Sequence, residues 1–251
     1  MAEHLSPLRA SVDRLRQLVA TLDDTDLRRP AYPTEWTIAD VLSHLGSGAV
    51  ITERRHQDAL AGHDTPDDFA PAVWDAWNAK DPSAQRDDAL AADAALLDRL
   101  EATTTEERDR FATAMGPMTF GFDQFVGMRL NEHALHTWDI HVITDPTATL
   151  PADTTPLLVD NLDLIARFTA KPPEEPIDIT VATTDPERTF KIEAGRDSVT
   201  FSPASPAAAP DVTLPAEAFV RLVYGRLDPQ HTPRAHYGDH LGLLRHIYPG
   251  P

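Results

Sequence analysis

The sequence predicts an α+β protein in which an N-terminal four-helix bundle is followed by a small α+β unit. Over roughly the first 150 residues, apolar side chains recur at steps of three and four in long segments, which is typical of helices that bury one face. Further along, short segments alternate between apolar and polar residues and are separated by Pro and Gly turns, as strands are. We therefore place the bundle at residues 1–150 and the second unit at residues 151–251.

The first two helices have clear signals in the sequence. A helix over about residues 5–22 is predicted by the spacing of Leu5, Leu8, Val12, Leu15, Leu18 and Leu22. Pro30 and Pro33 then interrupt the chain, and Thr37 begins a second helix that continues to about Ala61. The Thr37 hydroxyl can cap the free amides of this helix, and Asp40, three positions later, completes a near capping box.

The rest of the bundle follows a region rich in proline and aromatic residues. Residues 62–83 predict a loop with a short helix, whose aromatic side chains pack on the bundle: Phe69, Trp74 and Trp77. A third long helix is predicted from about Pro82 to Ala102, and a fourth from about Thr119 to Ile143. The fourth ends before Asp145-Pro146, because the residue before a proline disfavours helix. Four long helices of this kind favour a bundle.

The second unit mixes short helices and strands. A helix is predicted over residues 154–168, and alternation predicts strands at Ile177–Val181, Phe190–Ile192, Val199–Phe201 and Asp211–Leu214. Two helices follow, from Ala216 to Tyr224 and near residues 240–247. This arrangement is typical of a small α+β domain.

Composition excludes several classes of function. The formal net charge of -18 repels phosphate backbones and anionic membrane surfaces, so we expect no nucleic-acid or membrane partner. No apolar run approaches the ~20 residues of a membrane helix, and the N-terminus does not resemble a signal peptide, so a cytoplasmic protein is expected. The sequence has no cysteine, which excludes disulfides, cysteine nucleophiles and cysteine metal ligands. Arginine strongly outnumbers lysine, which favours a GC-rich genome such as that of an actinobacterium or of a halophile.

The fourth helix contains a polar stripe that can bind a metal ion. Glu132 and His136 are four residues apart, so both project from one face, and Arg129 and Asp139 extend that face. Because unpaired buried charge is costly, such a stripe requires partners, and a divalent cation is one. His44, on the second helix, is the candidate for a third ligand. Two nitrogens and one carboxylate oxygen suit Zn²⁺, with Fe²⁺, Ni²⁺ and Mn²⁺ as alternatives, and leave a coordination position open.

Each of these residues also has a simpler interpretation. A Glu-x-x-x-His pair is common on helices without a metal, and a single histidine such as His44 is more often a core or surface residue. Asp139 can instead form a salt bridge with Arg129. His133 points about 100° away from the stripe and is predicted to lie at the surface, and His141 is also off the stripe.

Five segments resemble a known family. PTEWTIADVLSHLGSG is similar to a Gly-Trp-Ser/Thr turn followed by a helical histidine, and RLNEHALHTWDIHV is similar to a Glu-x-x-x-His-x-x-Asp helix. Together they resemble the DinB-like superfamily, specifically its mycothiol-dependent maleylpyruvate isomerase branch. The segments VRLVYGR, HYGD and LGLLRHIYPG are similar to the small C-terminal domain of that branch, which is related to sterol-carrier folds. The sequence departs from the pattern at Glu35, where the family usually has glycine.

The resemblance implies a fold, a metal site and a cosubstrate. The fold would be a DinB-like four-helix bundle followed by a sterol-carrier-like α+β domain, with zinc bound by His44, Glu132 and His136. Asp139 would act in catalysis, and Arg226 would be the basic residue that serves in catalysis and in cofactor binding. Mycothiol, a low-molecular-weight thiol, would be the cosubstrate, and the substrate would be a small molecule. Apart from the resemblance, we expect a monomer or a homodimer.

Three functions remain open on the sequence. In the first, a metal-activated thiolate isomerises a conjugated cis double bond, or attacks an electrophile and stays attached as in a transferase. In the second, a DinB-like metal-dependent hydrolase uses water in place of the thiol. In the third, the protein is a non-catalytic metal-binding or regulatory module. The three candidate ligands together with the resemblance over both parts of the chain favour the first, and because the sequence has no cysteine, any thiol that it uses must come from outside the chain.

Overall fold

The computed structural model describes residues 3–116, 118–233 and 240–250. The chain folds into two compact units, Met1–Asp145 and Pro146–Pro251. Within the described ranges, no helix is both long enough and apolar enough to cross a membrane.

The first unit is a bundle of long helices. In chain order its helices are α1 (Leu5–Val19), α2 (Ile38–Ala61), α3 (Phe69–Asn78), α4 (Pro82–Glu101), α5 (Thr105–Arg110) and α6 (Phe122–Thr144). Helix α2 packs on α4, and α1 packs on α6 and α4. The core between them is made of fully buried leucines and other apolar side chains, such as Leu15, Leu42 and Leu45. Burying each such leucine stabilises the fold by about 1.5–3 kcal/mol.

The start of α2 follows the sequence signal. The Thr37 hydroxyl accepts from the Asp40 amide at 3.1 Å, and the Asp40 carboxylate accepts from the Thr37 amide at 2.8 Å. This reciprocal pair satisfies amides that the first helical turn leaves without partners. The helix ends at Ala61, where Gly62 takes a left-handed conformation with φ of 73°, which glycine adopts without strain.

Two predicted helix boundaries in the bundle are wrong. Helix α1 ends at Val19 rather than near Leu22. The amides of Thr21 and Leu22 there donate to carbonyls three residues back, those of Leu18 and Val19, and Leu22 stays buried beyond the helix end. Helix α6 begins at Phe122 rather than Thr119. Thr119 lies in a hairpin of two three-residue strands, β1 (Thr113–Met115) and β2 (Met118–Phe120).

The aromatic residues between α2 and α4 do not all pack on the bundle. Trp77 is buried and belongs to the core, whereas the Trp74 side chain is 47% exposed. The close approach of α2 and α4 depends on Gly46. A Cβ atom there would lie 2.2 Å from Trp77 Cζ3 and 2.9 Å from Ala89 Cα.

The second unit is a four-stranded sheet with helices. Its elements are α7 (Thr155–Val159), α8 (Leu162–Thr169), β3 (Ile177–Thr184), β4 (Arg188–Ala194), β5 (Val199–Pro203), β6 (Val212–Pro215), α9 (Ala216–Val223) and α10 (His240–Ile247). The strand order is β5-β4-β3-β6, with β6 parallel to β3 and the other pairs antiparallel. The predicted α+β class is confirmed, although the helix predicted over 154–168 is two helices. The segment HYGD, with His236, lies outside the described residues.

A buried histidine of the bundle, His56, is hydrogen-bonded to a threonine after α4. His56 of α2 is 1% exposed, and its Nε2 lies 3.0 Å from Thr103 Oγ1. The Thr103 hydroxyl donates to the Arg99 carbonyl, so its oxygen accepts from His56 and Nε2 carries the hydrogen. Burial lowers the pKa of His56, and so does the charge of Arg99; the carboxylates of Glu107 and Glu53 oppose the shift.

The shift makes stability depend on pH. Because the pKa of His56 lies below its ordinary value of 6.5, its contribution to the free energy of unfolding is complete above that pH and is lost as the pH falls through the folded pKa. We expect His56→Gln, which keeps a donor but does not titrate, to lose less stability than the wild type between about pH 7.5 and about pH 5. Urea unfolding followed by circular dichroism measures this, with the exposed His63→Gln as control. Equal pH dependence in all three proteins would contradict the assignment.

Candidate metal centre

Helices α2 and α6 bring the three predicted ligands together. His44 is on α2, Glu132 and His136 are one turn apart on α6, and one potential ligand atom from each lies within 4.8 Å of the others. His44 Nε2 is 3.1 Å from Glu132 Oε2, and His136 Nε2 is 3.7 Å from the same oxygen. The two imidazole rings meet edge to face, with centroids 4.5 Å apart. The arrangement is a compact cluster of two nitrogens and one carboxylate.

The cluster is partly open to solvent. The side chains of His44 and Glu132 are 35% and 44% exposed, and that of His136 is 11% exposed. Burial raises the pKa of the Glu132 carboxyl, but the hydrogen bond from His44 and the charges of His136, His44 and Arg129 outweigh it and lower the pKa to about 2. Glu132 is therefore ionised at neutral pH and available as a ligand.

Asp139 is hydrogen-bonded to the second histidine. Its side chain is fully buried, and its Oδ2 lies 2.8 Å from His136 Nδ1. A carboxylate accepts, so Nδ1 donates and the lone pair of Nε2 faces the Glu132 side of the ring. The structure thus pairs Asp139 with His136 and not with Arg129, so the alternative salt bridge considered from the sequence does not form.

Arg129 instead belongs to a buried network beside the cluster. Its Nη2 donates to Asp93 Oδ1 at 2.6 Å and to the Leu45 carbonyl at 2.8 Å. Asp93 Oδ2 lies 3.2 Å from His133 Nε2, and Ser11 Oγ lies 2.8 Å from His133 Nδ1. The surface placement predicted for His133 is wrong, since its side chain is fully buried. Helix α6 is buried on almost every side, so a position off the ligand stripe is still inside the bundle.

The burial of Asp93 can be predicted from the periodicity of α4. Asp93 lies four residues after Ala89 and three before Leu96, on the buried stripe of α4. A carboxylate at such a position requires a buried partner.

Trp36, just before α2, contacts the cluster. Its ring centroid is 5.3 Å from that of His44 and 6.0 Å from that of His136, nearly parallel to the latter, and the residue is 37% exposed.

The segment that carries Trp36 is held by backbone hydrogen bonds. Ala31 and Trp36 are joined by a 2.8 Å bond, and Ile38 donates to the Arg29 carbonyl at 3.0 Å. The Tyr32 amide donates to the Asp139 carbonyl at 3.1 Å. This loop, residues 29–38, is therefore attached both to itself and to α6.

Arg226 lies in the second unit. It is 6% exposed, and its Nη1 donates to the Tyr224 carbonyl at 3.0 Å. Nearby, Arg221 is 1% exposed, pairs with Glu217 at 2.8 Å, and donates to the His231 carbonyl at 3.0 Å. The structure thus places Arg226 in a well-packed part of its own unit, and its role toward the ligands remains a prediction.

Two comparisons with known proteins found matches, one to a family pattern and one to solved structures. The family pattern described as the mycothiol maleylpyruvate isomerase N-terminal domain matches residues 8–141. Similar solved structures include the mycothiol-dependent maleylpyruvate isomerase and a variant of it in which one histidine is replaced by alanine. Each has a TM-score of 0.63 and 16% sequence identity, over 89% of this chain and 88% of that chain. No curated protein matches.

The two comparisons differ in what they establish. The structural similarity covers both units and shows a shared fold, since an identity of 16% leaves the reaction unassigned. The sequence match spans more than half of the chain and includes all three residues of the cluster. The chain therefore belongs to the mycothiol maleylpyruvate isomerase family.

Proposed function

We propose that the protein is an enzyme that uses mycothiol and a divalent cation, with zinc as the preferred ion. It would either isomerise a small electrophile or transfer the thiol to it. The cluster of His44, Glu132 and His136 within the matched domain is the observation that carries this proposal. The partial exposure of His44 and Glu132 supports access for a small molecule.

The residues present fit a catalytic zinc site. Two imidazole nitrogens with one carboxylate are a common donor set for catalytic zinc, which keeps its fourth position open. The buried carboxylate of Asp139 behind His136 is the outer partner that such histidines usually have. A cation held here would lower the pKa of a thiol at the open position, so that thiolate is present near neutral pH.

The isomerisation conserves all atoms and electrons. Mycothiol would supply a thiolate that adds to the β-carbon of a cis double bond conjugated to a carbonyl, with the electron pair moving onto the carbonyl oxygen. The former C=C bond, now single, would rotate, and return of the pair would break the C–S bond and give the trans product. In the transferase variant the C–S bond is retained and a proton is taken up.

The chain's own residues would prepare this reaction. Asp139 would hold His136 in one tautomer, and Trp36 would form an apolar wall that excludes water beside the two histidines. Arg226 would bind a carboxylate of the substrate or of mycothiol, or stabilise the negative charge on the carbonyl oxygen.

Titration calorimetry with mycothiol tests the proposal. We expect the zinc-loaded protein to bind the thiol and the metal-free protein to bind it at least about tenfold more weakly, because the cation binds thiolate strongly. Trp36 lies against both histidines. The tryptophan fluorescence of the protein should therefore change when zinc binds, and this change should be absent in Trp36→Phe.

The outcomes separate the alternatives. Turnover of a cis enone acid to its trans isomer indicates an isomerase, and a stable thioether indicates a transferase. Hydrolysis of esters or amides without thiol would replace the proposal with the hydrolase. Metal binding without thiol binding at millimolar concentration would refute the proposal and favour a binding module.

A further inference from the structure

We propose that Arg129 and Asp93 are positioning residues that set the spacing between His44 and Glu132 and keep the charge beside the metal centre balanced. The inference rests on the proposed function, because it concerns how the chain prepares a cation site. The hydrogen bonds of these two side chains run to each other, to His133 and to the Leu45 backbone. They would therefore act on the ligands through the helices that carry them.

One guanidinium joins the backbones of both ligand-bearing helices. Arg129 lies one turn before Glu132 on α6, and its Nη2 donates to the carbonyl of Leu45, the residue after His44 on α2. The same nitrogen donates to Asp93 of α4 at 2.6 Å. Displacing the guanidinium therefore changes how α2 sits against α6 at the height of the ligands.

The site of the guanidinium is shaped for it. A Cβ atom at Gly48 would lie 2.9 Å from Arg129 Nη1, so the missing side chain leaves room for this group. Arg129 and Asp93 are 5% and 1% exposed. Their orientations are therefore determined by packing and hydrogen bonds rather than by solvent.

The carboxylate of Asp93 is fixed through both oxygens. Oδ1 accepts from Arg129, and Oδ2 lies 3.2 Å from His133, whose other nitrogen contacts Ser11 of α1. The network thus connects all four long helices of the first unit.

The network also affects the electrostatic energy of a bound cation. Arg129 would repel a cation bound one turn away, and Asp93 offsets this repulsion at close range.

Three variants test the inference with Co²⁺, a spectroscopically visible substitute for zinc. Arg129→Lys keeps the charge but loses the planar fork, and Asp93→Asn leaves the arginine charge uncompensated. We expect both to weaken Co²⁺ binding by about tenfold, the lower end of the range for groups hydrogen-bonded directly to metal ligands, because these two side chains act through the helices that carry the ligands. Affinity is measured by competition with a chelator, and the visible absorption of bound Co²⁺ reports its geometry.

Gly48→Ala, the third variant, protects the test against loss of folding. The added methyl displaces the end of the Arg129 side chain, while alanine raises helix propensity, so the variant should stay folded and still bind Co²⁺ more weakly. Thr103→Val, which breaks the His56 hydrogen bond in the same unit, is the control. It should lower thermal stability and leave Co²⁺ affinity and spectrum unchanged.

The results distinguish failure of the inference from failure of the proposed function. If the wild-type protein binds no Co²⁺, the proposed function is wrong. If it binds Co²⁺ and the folded Gly48→Ala and Arg129→Lys variants show unchanged affinity and spectrum, the network is only structural and the inference is overturned. Weaker binding with a changed spectrum in these variants, and not in Thr103→Val, supports it.

Discussion

Replacing both His44 and His136 with alanine is expected to reduce zinc affinity by more than about 100-fold, because removing groups that merely support ligands already costs about 10- to 100-fold. The remaining carboxylate of Glu132 is 44% exposed, and one exposed carboxylate binds divalent cations weakly. Elemental analysis after dialysis, together with chelator competition, measures the loss.

A histidine on the same helix provides the control. His141 is half-buried on α6 and is absent from the cluster, so His141→Ala should retain the metal content of the wild type. The helical content of every variant is checked by circular dichroism. An undiminished zinc content in the double variant would show that His44 and His136 do not bind the metal, and it would contradict the proposed metal centre.

Gly46→Ala is expected to destabilise the first unit, although helix propensity alone predicts the opposite. Alanine in a helix interior is favoured over glycine by about 1 kcal/mol. Against this, the new Cβ would overlap the Trp77 ring at 2.2 Å and the Ala89 backbone at 2.9 Å. Overpacking of this kind costs about 1–3 kcal/mol or more, and the backbone contact leaves no flexible group to yield. We expect the melting temperature to fall by several degrees, on the order of 2–4 °C per kcal/mol.

A second glycine tests the sign of the argument. Gly242 lies in α10, is exposed, and has no atom within 4 Å of the position that a Cβ would take. Gly242→Ala should therefore stabilise its unit by up to about 1 kcal/mol. Thermal unfolding of both variants measures the two effects. A stabilising Gly46→Ala would show that α2 and α4 separate without cost at this point.

The sequence predicts best those features that depend on neighbours along the chain. The start of α2 was predictable because Thr37 and Asp40 form a local capping pair. Glu132 and His136 were predictable as a pair because helical geometry places residues four apart together. The alternation of apolar residues likewise predicted β3 and β4, which pair in register from Ile177 with Ala194.

Features that depend on distant contacts do not follow from the sequence. The position of His133 off the Glu132 stripe predicts a surface residue, yet its partners Asp93 and Ser11 come from two other helices. Only the packing of α1 and α4 on α6 makes that side an interior. The hairpin of β1 and β2 was missed because strands of three residues are too short to show alternation.

The loop of residues 29–38 has a consequence for the thermodynamics of ligand capture. Its backbone is closed by hydrogen bonds from Ala31 to Trp36 and from Ile38 to Arg29, and it is tied to α6 through Tyr32 and Asp139. A rim that is already ordered loses little conformational entropy when a ligand arrives, and ordering costs of about 1–2 kcal/mol per backbone residue are avoided. The affinity for a ligand at this loop is therefore set by the contacts that Trp36 and the cluster make, and the free-energy cost of ordering the chain is small.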